Sequence, residues 1–152
     1  MFEHGVALIP VNERTVAGEG AGGLAYINTS NVLPENPKIL SDVYGSQWAD
    51  SVIKVPGKFG DNVQYVYGVD TVAKKIWRTD GNTLTCISDM KVQEFLNNNI
   101  TLSESELTPK IGIRNVKTFY NAFKRDVLFT FYDNTYGFEE KVWNLCWNEL
   151  LN

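Results

Sequence analysis

The chain has 152 residues, 43% of them hydrophobic and 21% charged. That is enough for one domain with a real core, and it excludes global disorder. The net charge of -4 and pI near 5.0 argue against nucleic acid as the main partner, because phosphate binding needs a basic face.

The densest basic spots are only Lys74-Lys75 and Lys124-Arg125. No apolar run approaches the roughly 18 residues that a membrane helix needs. The start, MFEHGVALIPVNERT, has neither the basic region nor the long apolar region of a signal peptide. We therefore expect no membrane association, and the sequons at Asn28 and Asn99 carry no weight.

Residues 1–60 hold little regular pattern and read as extended chain and loops with a few short strands. VALIPV contains a proline, which suits an edge strand. A loop with Pro34 and Pro37 follows, and then a brief extended piece over Ser51 to Val55, ended by Pro56-Gly57.

Residues 61–152 read as an antiparallel β module. NVQYVYGVD, AKKIWRTDG and TLTCISD are three short strands joined by tight turns, with Asp80-Gly81-Asn82 as the strongest turn signal. SDMKVQEFLNNNI is the best helix segment, near residues 90–98. Ser88 or Asp89 would cap it, Val92, Phe95 and Leu96 would form its apolar stripe, and the run Asn97 to Asn99 would end it. The strand IGIRNVKTFYNAF, with Gly112 at a bulge, and the hairpin KRDVLFTFYD to KVWNLCWNEL complete the pattern. This hairpin has two apolar faces, so cover is expected on both.

AKKIWR (Ala73 to Arg78) and EEKVWN (Glu139 to Asn144) echo each other. A tryptophan in the same strand of a repeated meander is the pattern of propeller blades, the alternative being two unrelated amphipathic strands. The expected fold is mainly β: antiparallel meanders, propeller-blade-like, with a short α-helical insertion.

VAGEGAGGLAYI contains a G-x-G-x-x-G at Gly18, Gly20 and Gly23, with Gly22 between. A dinucleotide fingerprint needs a strand before it and a helix after it, and neither is present. No Gly-Lys-Ser/Thr follows for a P-loop, and no kinase catalytic motif exists. The stretch reads instead as a mobile loop, or as an arm that orders against a neighbour, where a partner surface offsets the ordering cost of its glycines.

Catalysis finds little support. The single histidine, His4, nearly excludes Ser-His-Asp and Cys-His chemistry, and two cysteines with it fall short of a zinc set. Carboxylate pairs exist at Glu104/Glu106 and Glu139/Glu140, but nothing marks either as perturbed. Cys86 and Cys146 are read as buried free thiols, with a bridge left open. We expect no enzyme, cofactor or metal. Tyr44 and Trp48, in the loop-like VYGSQWAD, are candidates for interface anchors or a carbohydrate platform, with burial against the sheet the favoured reading.

NERTVAGEGAGGLAYINTSNVL, YGSQWADSVIK, YVYGVDTVAKKIWRTDG and IGIRNVKTFYNAFKRDVLFTFYDNTYGFEEKVWNLCWNEL resemble segments of large virion proteins of crAss-like gut bacteriophages, of the tail muzzle type. The resemblance spans roughly Glu3 to Asn148. It implies a fragment of a longer structural chain with propeller-like β-domains and no catalytic residues. It also implies a place in the virion tail after synthesis in the host cytoplasm. The implied partners are other tail proteins or further domains of the parent chain, with self-association through exposed strand edges. Gly18, Gly20, Gly22, Gly23, Tyr44 and Trp48 are the expected partner contacts; the alternative is a glycan-binding module of the tail.

Overall fold

The computed structural model describes residues 5–9, 37–57, 63–100, 112–133 and 141–148. Strands β1 (Val6–Leu8) and β2 (Lys38–Ser41) form a two-stranded antiparallel ribbon. Strands β3 (Ile53–Pro56), β4 (Gln64–Asp70), β5 (Lys75–Thr79) and β6 (Leu84–Cys86) form a four-stranded meander in sequence order. Strands β7 (Ile113–Asn121), β8 (Asp126–Asp133) and β9 (Lys141–Asn148) form a second, three-stranded meander. All pairings are antiparallel, and one short helix, α1 (Gln93–Asn99), lies between the meanders in sequence. The fold is thus mainly β with antiparallel meanders and one helical insertion. The described strands make open sheets rather than a closed ring of blades. The first sheet runs across residue 60, because β3 pairs with β4.

Three of the described reversals share one local chemistry. Asp70 Oδ1 accepts the amides of Val72 and Ala73 at 3.0 and 2.9 Å, and Lys74 closes the turn at φ 54°. Asn121 Oδ1 accepts those of Phe123 and Lys124 at 3.1 and 3.2 Å, and Arg125 closes at φ 58°. Asp80 Oδ1 accepts those of Asn82 and Thr83, both at 2.8 Å. A short carbonyl side chain takes over main-chain bonds that a tight reversal cannot make.

Alternation within the strands builds one core between the two sheets. Val55, Tyr67, Val69 and Ile76 face Val116, Val127, Phe129 and Phe131, with Ile87, Leu96 and Ile100 joining the cluster. Tyr67 meets Phe129 at 6.3 Å between ring centres. Thr118 Oγ1 on β7 donates to Ser51 O at 2.7 Å, stitching the second sheet to the turn before β3. Each full burial of such a side chain is worth about 1.5–3 kcal/mol.

The echoed tryptophans occupy the third strand of their meanders but face differently. Trp77 is 1% exposed and lies on the face of the first sheet away from the shared core. Trp143 packs against the shared core and stacks on Phe131 at 3.9 Å and 8°.

Several expectations are corrected. Ser88 and Asp89 do not cap the helix; they lie in a 3-10 turn over Ile87–Met90. There Ser88 Oγ accepts the Ile76 amide at 3.3 Å and donates to Gln93 Oε1 at 2.9 Å, while Asp89 pairs with Lys75. These contacts hold the would-be cap, so the helix begins only at Gln93 and continues through Asn99. Strand β6 stops at Cys86 for the same reason. Phe95 is 43% exposed, although its ring meets Trp143 edge-on at 5.4 Å. The β7 irregularity falls at Arg114, between Ile113 and Asn115, rather than at Gly112. Strand β2, read as loop, pairs with β1. The cover expected on both faces of the β8–β9 hairpin is not found among the described residues, where Phe119 and Val142 of that sheet stay 51% and 49% exposed.

Candidate functional site

Gly45 to Trp48 is clamped to the first sheet. Asp70, 1% exposed at the end of β4, accepts the Gly45 amide on Oδ2 at 2.8 Å and Gln47 Nε2 on Oδ1 at 3.0 Å. Gln47 Oε1 accepts both the amide and the hydroxyl of Thr71, at 2.8 and 3.0 Å. Trp77 Nε1 donates to Gly45 O at 2.7 Å. Ser51 Oγ donates to Trp48 O at 2.8 Å and hydrogen-bonds Ser46 Oγ. A buried carboxylate is tolerated here because several donors converge on it.

This clamp separates the two aromatic anchors expected from sequence. Trp48 packs against the core between the sheets, with its Nε1 buried and without an acceptor among the described residues. Tyr44 is half-buried and reaches Cys86, whose side chain shares the far face of the first sheet with Trp77. The thiol beside it, with burial, holds the Tyr44 hydroxyl above the ordinary tyrosine range, and burial raises the Cys86 thiol. The two rings address opposite faces and form no joint platform. Gly18, Gly20, Gly22 and Gly23 lie outside the described residues, as do His4 and both carboxylate pairs, Glu104/Glu106 and Glu139/Glu140.

Cys86 and Cys146 are free thiols on different sheets, and Cys146 is exposed rather than buried. Among the described residues no group of three or more His, Cys, Asp or Glu side chains is placed to hold a metal. No described helix is long and apolar enough to cross a membrane.

What the arrangement offers is surface. The outer face of the second sheet carries four cross-strand rows: Asn121–Asp126–Asn148, Phe119–Leu128–Cys146, Lys117–Thr130–Asn144 and Asn115–Tyr132–Val142. Phe119 is 51% exposed and Val142 49% exposed. Lys117 lies over the Tyr132 ring at 5.9 Å, and Thr130 Oγ1 donates to Asn144 at 2.6 Å. At the adjoining hairpin tip Phe123 is 95% exposed, in a turn fixed by Asn121 and by Asn148 Nδ2, which donates to Lys124 O at 3.0 Å. Along the end of β9 a cavity of about 500 Å³ opens among Ile87, Val92, Phe129, Leu145, Cys146 and Trp147. A second apolar groove, about 700 Å³, lies among Leu8, Ile9, Leu40, Val63 and Trp77.

Sequence reasoning misses this surface because the same alternation that marks a buried face marks an open one. It misses the Asp70 clamp because Gln47 and Asp70 stand 23 residues apart. Comparisons with protein-family models, curated proteins and solved structures gave no match.

Proposed function

We infer that this chain is a structural module of a bacteriophage tail, of the crAss-like muzzle type, acting by packing against neighbouring proteins or domains without catalysis. The observation that carries the packing role is the outer face of the β7–β8–β9 sheet. It leaves Phe119, Val142 and part of Leu128 and Tyr132 in water. Contiguous apolar surface beside ordered polar contacts marks interaction sites. The tail setting rests on the sequence resemblance, and there the four-stranded meander would serve as a blade-like unit. A glycan platform built on Tyr44 and Trp48 is disfavoured, since the two rings address opposite faces of the sheet.

The test is mass spectrometry of density-purified virions from a phage culture carrying the gene. The tryptic peptide Asp126 to Lys141 is the marker. Recovery at a few copies per capsid-protein set is expected. Absence from virions with presence in infected-cell lysate would overturn the virion role.

A further inference from the structure

Four strand edges bound the two sheets, and three of them are protected. Edge strand β3 carries Lys54 and Pro56, β6 is three residues long, and β7 has its irregularity at Arg114 and packs beside the Ala49–Ser51 turn. These are the usual devices against unwanted pairing. Strand β9 has none of them. All eight of its residues, Lys141–Asn148, pair with β8 without a register shift, and it contains no proline or glycine. Its only charge is Lys141, at one end. Among the described residues no strand pairs with its other edge.

We propose that β9 pairs antiparallel with β9 of a second copy of this chain, centred on Leu145, joining two three-stranded sheets into one of six strands. The inference rests on the packing role proposed above and names its partner. The strand is self-complementary about that centre. Trp143, Leu145 and Trp147 face the core side, while Val142, Asn144 and Cys146 face outward. Centring on Leu145 sets Trp143 opposite the partner's Trp147, twice, and Leu145 opposite the partner's Leu145. Every core-side residue then stays on one face, whereas a slip by one residue would oppose core-side to outward residues. The contact is isologous and closes as a two-fold dimer. It also doubles the width of the open outer face, the surface assigned above to neighbouring proteins.

The test uses the whole chain. Sedimentation and light scattering should show a concentration-dependent monomer–dimer equilibrium. Hydrogen exchange should show the amides on the edge of β9 away from β8 gaining protection as the dimer forms. For register, Asn144→Cys in a Cys86→Ser background places a new thiol opposite the partner's Cys146. Mild oxidation should convert most of the dimer to a disulfide-linked species, and adding Cys146→Ser should abolish it. Without Asn144→Cys, Cys146 should cross-link poorly. A chain that stays monomeric at every soluble concentration, with unprotected β9 edge amides, overturns the proposal; the unmodified chain suffices for that outcome. A dimer linked mainly through Cys146 to Cys146 without the added thiol overturns the register and the proposal with it. A monomeric chain recovered from virions would defeat only this pairing, and a dimer absent from virions would defeat only the tail role.

Discussion

Gly68 on β4 and Trp77 on β5 stand opposite each other, and the indole occupies the space a side chain at 68 would need. A Cβ there would lie 2.6 Å from Trp77 Cε2 and 2.7 Å from Cη2. The tryptophan cannot swing aside freely, because its Nε1 is bonded to Gly45 O.

Gly68→Ala therefore forces either the indole or the Gly45 segment to move, and should cost about 1–3 kcal/mol. Gly81→Ala is the control. Nothing lies within 4 Å of its Cβ, but its φ of 89° disfavours a side chain, so a loss of about 1–2 kcal/mol from backbone strain alone is expected. Urea unfolding gives both values. Quenching or a shift of tryptophan fluorescence should accompany only Gly68→Ala, and a silent spectrum with unchanged stability would refute the packing argument.

Asp70 gathers four donors: the amides of Gly45, Val72 and Ala73, and the Gln47 side chain. Asp70→Ala strands them and should cost about 3 kcal/mol or more. Asp70→Asn keeps one acceptor for the β4–β5 turn but turns an NH2 toward one set of donors, so a loss of about 1–2 kcal/mol is expected. Exchange of the Gly45 amide should accelerate in both variants. Unchanged exchange would mean that the carboxylate does not hold the 45–48 segment.

Thr118→Val keeps the shape of the side chain and removes the donor to Ser51 O across 67 residues of chain. The buried carbonyl loses its partner, at about 1–3 kcal/mol. Thr118→Ser should recover most of the loss. If both variants match the unmodified chain in thermal and urea unfolding, the inter-sheet bond contributes nothing.

Asp80 supplies the pH-dependent element. The Thr83 amide first, and then the Asn82 amide, hold its carboxyl below the ordinary aspartate range. A folded-state pKa below the unfolded one means that the stabilisation is present above the unfolded value, about 3.9. It is lost as pH falls through that value toward the folded pKa. Asp80→Asn can still accept in the turn but cannot ionise. The original chain should lead it at neutral pH, and the lead should vanish in strong acid. NMR titration of the carboxyl should place its midpoint below the ordinary aspartate value; a midpoint at or above that value would contradict the turn bonds.

The sequence names the strands well where their cause is local. The β4–β5–β6 order follows from alternation and from Asp80-Gly81-Asn82, and the β8–β9 pair from Val127, Phe129 and Phe131 against Trp143, Leu145 and Trp147. The helix is placed nearly correctly and its cap wrongly. Ser88 has the right chemistry for a cap, but its hydroxyl is taken by Ile76 and Gln93, contacts that no local rule contains.

By itself, the sequence determines the class of the fold and the positions of the turns, because alternation and side-chain-capped reversals act over a few neighbouring residues. Tertiary structure alone decides which faces are covered, that Tyr44 and Trp48 part company, and that among the described residues no strand pairs with the second edge of β9. Those outcomes depend on which distant segment reaches a surface first: Gly45 and Gln47 onto Asp70, Ser51 onto Thr118, and, among the described residues, nothing onto the outer face of β7–β8–β9. A row of alternating apolar residues reads the same in sequence whether its second face meets protein or water.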